Sequence, residues 1–183
     1  MYKIFIFILV ASSTCLGLGR ADSLVLFDFD RESGLKGWHV ESDGVMGGIS
    51  RGYVALTEEG HARFSGDVSL KNNGGFTSVQ SFFDPIDVSD FSRAVLRIKG
   101  DGKRYFFRVQ SKQSDRYSYV FPFNTTGKWQ TVVVPFSRMY PKWRGNPLDL
   151  PHYPGESIAH ARFLIANGRA ESFELLIDWI SLK

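Results

Sequence analysis

Cysteine is nearly absent: Cys15 is the only one in 183 residues. No disulfide can form within the chain, and neither a cysteine-based metal site nor thiol catalysis has the residues it needs. Histidine is also sparse. His39, His61, His152 and His160 fall in no HxxxH or HExxH spacing, which excludes the common zinc patterns. A P-loop and a dinucleotide-binding glycine fingerprint are missing, and no serine sits in a strand-to-helix nucleophile elbow. There is no internal repeat, low-complexity tract or hydrophilic linker. No window carries a helical stripe, so an α/β nucleotide-binding fold is unlike this pattern. Charge of one sign is not in excess either; a formal net charge of +3, with both signs interspersed, excludes a nucleic-acid tail.

The longest apolar run, at 4–10, follows Lys3 and precedes a small-residue stretch ending at Gly19, Arg20 and Ala21. This reads as a signal peptide over residues 1–21 with a mature start at Asp22, giving a periplasmic or secreted protein. An uncleaved membrane anchor or a mitochondrial location is the alternative. The run is short for a membrane span, which needs roughly 20 residues. Cleavage would remove Lys3, Arg20 and Cys15 and leave twenty basic against nineteen acidic residues, a net charge of +1.

Aromatic residues and glycine are abundant: sixteen Phe, seven Tyr, four Trp and eighteen Gly. Short β-like runs recur at 24–29, 38–41, 53–56, 61–70, 76–82, 94–99, 105–110, 117–123, 129–135, 161–166 and 173–182, separated by Gly, Asn, Asp and Pro. Ala94, Leu96 and Ile98 alternate with Val95, Arg97 and Lys99. Tyr105, Phe107 and Val109 alternate with Arg104, Phe106, Arg108 and Gln110. Period two is the signature of strands with one buried face. Residues 137–160, with four prolines, read as irregular with a short helical turn. The pattern predicts a single all-β domain over 22–183, a sandwich or barrel.

Three glycine-framed turns stand out. Asp43 and Gly44 open a turn that exposes Val45 and Met46 before Gly47 and Gly48. Gly74 and Gly75 precede a strand, and Gly100, Asp101 and Gly102 read as closing a hairpin between the runs at 94–99 and 105–110. Gly47 and Gly74 are expected to need backbone angles closed to a β-branched residue. Asp43 and Asp101 are the only carboxylate pair worth weighing for glycoside chemistry, and an Asx turn is the simpler role for each. His39 reads as strand surface and His160 as a strand entrance.

Taken together, Asp43-Gly44-Val45-Met46-Gly47-Gly48, Asn73-Gly74-Gly75-Phe76, Gly100-Asp101-Gly102-Lys103-Arg104-Tyr105, Gly127-Lys128-Trp129, Trp143-Arg144-Gly145 and Ile177-Asp178-Trp179 resemble the complex I intermediate-associated protein 30 family. The resemblance covers about residues 24–183. It implies a galactose-binding-domain-like jelly-roll sandwich and a non-catalytic role. It further implies an assembly chaperone for respiratory NADH:ubiquinone oxidoreductase, acting on a protein partner or membrane-associated complex, with no cofactor, no metal and no nucleic acid. A carbohydrate-binding module is the alternative for the same fold.

Three surfaces are candidates for partner binding. One is a sheet face carrying Arg97 and Arg108 on neighbouring strands, with Tyr117 and Tyr119 on the next. Guanidinium beside aromatic rings suits sugars, carboxylates or a protein hot spot. The second is the turn of Asp43, Val45 and Met46. The third is the loop bearing Trp143 and Arg144, the residue types most enriched in binding hot spots.

Overall fold

The computed structural model describes residues 23–183. The expected signal peptide over residues 1–21 lies outside the described residues. Thirteen strands follow in chain order: β1 (Leu24–Asp28), β2 (Trp38–Ser42), β3 (Arg51–Leu56), β4 (Ala62–Val68), β5 (Thr77–Asp87), β6 (Arg93–Gly100) and β7 (Arg104–Gln110), then β8 (Ser118–Asn124), β9 (Trp129–Pro135), β10 (Tyr140–Trp143), β11 (Asn146–Pro147), β12 (Ser157–Ile165) and β13 (Glu171–Leu182). Short 3-10 turns occupy Asp43–Met46, Lys71–Asn73 and Phe136–Arg138. Among the described residues no helix is long and apolar enough to cross a membrane.

The strands form two antiparallel sheets. One runs β3-β4-β13-β6-β9, and the other runs β11-β10-β8-β7-β12-β5-β2. β13 organises the first sheet. β6 pairs along one edge of it, while β4 pairs with residues 171–177 of the other edge and β1 with residues 179–182. Alternation explains why the sheets face each other. Ala94, Leu96 and Ile98 of β6 and Leu175 and Ile177 of β13 point inward from the first sheet. Tyr105, Phe107 and Val109 of β7 and Phe163 of β12 meet them from the second, all buried in one cluster. Edge-on and tilted aromatic contacts run through this layer, with Phe163 within 5.3 Å of Phe107 and 6.3 Å of Trp38, centroid to centroid.

Two expectations are corrected here. The Gly100-Asp101-Gly102 turn does not close a hairpin: β6 and β7 lie in different sheets, and the turn carries the chain across the edge of the sandwich. Asp101 fixes that corner by accepting hydrogen bonds from the Tyr105 hydroxyl at 2.9 Å, the Lys103 ammonium at 2.6 Å and the Glu174 amide of β13 at 3.0 Å. Residues 137–160 are also more ordered than their prolines suggest. β10 extends the second sheet by pairing with β8, and Pro141 and Pro147 are tolerated near that sheet's edge, where fewer amides are needed.

Candidate functional site

The outer face of the second sheet is not flat surface. It holds a groove of about 920 Å³ between the turn after β2 and the β10–β11 turn. The register places the floor residues side by side. Gln80 of β5 stands opposite Arg162 of β12, Arg162 opposite Arg108 of β7, and Arg108 opposite Val120 of β8. Two residues along, Ser78, Leu164, Phe106 and Pro122 form a parallel row. Phe106, Val120 and Leu164 are buried together with Phe76, Tyr140 and Ala166 packed on them, and Phe76, Leu164 and Ala166 of this cluster give the groove an apolar side beside its charged one.

The first rim rests on a buried carboxylate. Asp43 is 0 % exposed. Its oxygens accept hydrogen bonds from the Ser50 amide at 2.9 Å, the Gly75 amide at 2.7 Å, the Phe76 amide at 3.3 Å and the Ser50 hydroxyl. Burial works against ionisation, but these donors outweigh it and hold the carboxyl below its usual range. The surrounding glycines make room for it. A Cβ on Gly48 would lie 2.3 Å from Asp43 Oδ1, and one on Gly74 would lie 2.6 Å from Oδ2 and 2.8 Å from the Ser69 carbonyl. Gly74 is therefore needed for space, not for a positive φ, whereas Gly47 at φ +89° ends the turn in the left-handed region. Asp43 is thus a hub that ties two loops together, and it presents Val45 and Met46 outward, 71 % and 65 % exposed.

Ser50 stands in a Gly-x-Ser-x-Gly spelling, residues 48–52, that leads into β3 instead of a helix. Its hydroxyl is spent on Asp43 and Ser69, with no histidine among its partners. The second rim is the β10–β11 turn, where Arg144 (φ 46°) holds its guanidinium 5.0 Å from the Trp143 ring. Trp143 remains 43 % exposed.

The charged half of the floor is organised by Gln80. Its Oε1 accepts from His160 Nε2 at 3.1 Å and from Arg162 Nε at 2.6 Å, and its Nε2 donates to Glu41 Oε2 at 2.6 Å. Arg162 Nη2 also pairs with Glu41 at 2.5 Å. His160 is buried in β12, not at a strand entrance. Burial first, then Arg162, His39 and Arg108, push its pKa down to about 3, so it is neutral at pH 7. Arg108 has no such support. Its Nε is buried with no hydrogen-bond partner, and burial together with Arg162 pushes its pKa down to about 10. Lys142 is lowered by burial and by Arg108 and Arg104. The groove therefore carries a surplus of positive charge.

Phe82 lies between two histidines, with its ring centroid 4.2 Å from His160 and 6.2 Å from His39 in near-parallel planes. His160 stacks closely on the Phe82 ring, which nevertheless stays 42 % exposed in the wall of the groove.

Of the candidates read from sequence, Val45, Met46, Arg108, Trp143 and Arg144 meet at this groove. Arg97 does not. It sits on β6 in the other sheet, opposite Trp179 and Thr131, with its guanidinium 5.6 Å from the Trp129 ring. Tyr117 and Tyr119 also turn away from it, toward the core, where Tyr119 packs 5.0 Å from Tyr153. Asp43 and Gly44, Gly47, Gly48, Gly74 and Gly75 frame the rim. Gly100, Asp101 and Gly102 belong to the sheet crossover. Glu41, Gln80 and Arg162 were not singled out from sequence, Lys142 stood only as a neighbour of Trp143 in the candidate loop, and His160 was read only as a strand entrance. The signal for Arg162 is that it and His160 are polar at alternate positions of the otherwise apolar run 158–165, whereas Gln80 stands in a strand with polar residues on both faces and gives no such signal. Among the described residues no cluster of three His, Cys, Asp or Glu side chains is arranged to hold a metal ion.

The comparisons with known proteins agree with this architecture. The family model described as complex I intermediate-associated protein 30 matches residues 27–177. Mouse (Mus musculus) "Complex I intermediate-associated protein 30, mitochondrial" is 26% identical over 186 residues, covering 86% of this chain and 55% of that protein. The chain thus spans about half the length of this curated relative. The family 11 carbohydrate-binding module of Clostridium thermocellum, in complex with a β-1,3-1,4-mixed-linked tetrasaccharide, has a TM-score of 0.64 at 18% identity, over 87% of this chain and 94% of that one. An agarase, AgWH50C, has a TM-score of 0.60 at 16% identity, over 88% of this chain and 24% of that one. At these identities the likeness shows the fold, a galactose-binding-like jelly-roll sandwich.

Proposed function

Because the chain belongs to the complex I intermediate-associated protein 30 family, we propose that it is a non-catalytic module that binds a protein partner through the groove, in the manner of an assembly factor. The observation that carries this reading is the exposed Val45–Met46 pair, held in place by the Asp43 hub and facing Trp143 across the groove. Exposed apolar side chains on a rigid turn are what a hot spot needs before its partner arrives. A non-catalytic role fits the disposition of Asp43 and Asp101, whose oxygens are engaged by amides and side chains of their own loops. The partner class is a respiratory complex I assembly intermediate, as the name of the family indicates. The test is affinity purification of the tagged chain from its host, beside a Val45→Ser, Met46→Ser, Trp143→Ala variant. Loss of the co-purifying complex in the folded variant supports the proposal; equal recovery sinks it. The compartment from which the complex is recovered also decides between export and a mitochondrial location.

A second reading, a carbohydrate-binding module, is favoured by the likeness to the family 11 module. It ranks below the first because the likeness to that module, at 18% identity, bears on the fold, whereas the family match bears on the sequence over residues 27–177. Affinity electrophoresis against a polysaccharide panel that includes mixed-linkage β-glucan tests it: retardation promotes this reading, and none removes it.

A further inference from the structure

Arg108 lies in the floor of the groove, and among the described residues no carboxylate is within ion-pair distance of it. A guanidinium offers five donors and no acceptor. Here the Nε is buried without a partner, and the side chain opposite is a second arginine. Neither of the two acidic residues lining the groove pairs with Arg108. Glu41 pairs with Arg162, and Asp115 accepts from the Lys112 amide at 2.9 Å. A buried cation that the chain leaves unpaired is costly, and an anion supplied from outside would relieve it. Carboxylate is the anion whose shape a guanidinium fork matches in two parallel bonds.

We propose that the groove binds an acidic peptide segment of a protein partner, with an Asp or Glu carboxylate seated on Arg108. The proposal rests on the protein-binding reading above and names the chemistry of the partner. The apolar lining at Phe76, Leu164 and Ala166 and the Val45–Met46 rim take aliphatic side chains flanking that carboxylate. An acidic glycan would offer the same carboxylate. It would leave the exposed aliphatic pair Val45 and Met46 without apolar partners, which side chains flanking the carboxylate of a peptide supply.

The experiment is a titration of the isotope-labelled chain, followed at the arginine Nε–H signals, with Arg108 assigned from the Arg108→Lys variant. The probes are a decapeptide of Leu, Glu and Asp, its Gln-and-Asn counterpart, and oligogalacturonate. The expected result is a saturable shift of the Arg108 signal with the acidic peptide and none with the neutral one. Affinity should fall roughly tenfold or more in Arg108→Met, the loss of one charged contact. It should also weaken as salt is added. No movement of Arg108 at millimolar acidic peptide, or movement with oligogalacturonate alone, overturns the proposal. Capture of the host complex by Arg108→Met as efficiently as by the native chain overturns it too, while leaving the assembly-factor reading standing. Absence of any captured complex with the native chain strikes that reading instead.

Discussion

Arg108 on β7 stands directly opposite Arg162 on β12, and Glu41 is the carboxylate that serves the pair through Arg162. Like charges directly across a ladder are destabilising, so this arrangement works against the fold and in favour of binding.

Replacing Arg108 by Met should therefore stabilise the protein, by about 1–2 kcal/mol, because it removes an unpaired buried charge and keeps the volume. Thermal unfolding checks it; a lower melting temperature would show that Arg108 is paired in solution. Glu41→Gln should act in the other direction, by about 2 kcal/mol, since it takes from Arg162 its only carboxylate and leaves two guanidiniums side by side. Adding Arg108→Met to Glu41→Gln should recover more stability than Arg108→Met gains alone, a coupling that a double-mutant cycle measures.

Asp43→Ala should cost about 3 kcal/mol or more, because the amides of Ser50, Gly75 and Phe76 lose their acceptor. For a domain of this size that lowers the melting temperature by roughly 6–12 °C. An unchanged transition would mean that water replaces the carboxylate at no cost.

Gly48→Ala and Gly44→Ala, four residues apart in one motif, should behave differently. A Cβ at Gly48 meets the Asp43 carboxylate at 2.3 Å, while one at Gly44 meets nothing within 4 Å. The first should cost about 2 kcal/mol and the second stay within about 0.5 kcal/mol. Chemical denaturation of the two variants separates them, and equal midpoints would refute the hub.

Stability should rise with pH from about 3 to about 6.5 because of His160. Its folded pKa of about 3 lies below the ordinary histidine value of about 6.5, so the unfolded chain binds the extra proton in that window. His160→Phe should flatten this slope. Asp43 and Asp101, both held below the usual carboxylate range, act in the same direction at lower pH: they favour the fold above the unfolded carboxylate value and lose that contribution as acid protonates them. If the slope persists in His160→Phe, other groups carry it.

Local alternation was legible in the sequence: the eleven β-like runs all lie in or across observed strands, because period two needs only neighbouring residues. The glycine turns were visible as well. What they hold was not, since Asp43 meets Gly75 across 32 positions and no spacing rule links them. The pairing of Arg97 with Arg108 failed for a related reason. Adjacent runs joined by a short glycine turn look like a hairpin, and only the strand pairing, β6 with β13 and β9 and β7 with β8 and β12, shows that the chain changes sheets there. His160 was misplaced because its groove forms only when β5, β7 and β12 lie side by side.

β13 bears on how the molecule comes into being. It is the last strand of the domain to leave the ribosome, yet β1, β4 and β6 all pair with it. Until it arrives, three earlier strands have open edges and one whole sheet lacks its centre. Pairings this distant along the chain are slow to close. The nascent domain therefore waits, with its edges exposed, through most of its own synthesis, and a chaperone that shields unpaired strands has its longest task here.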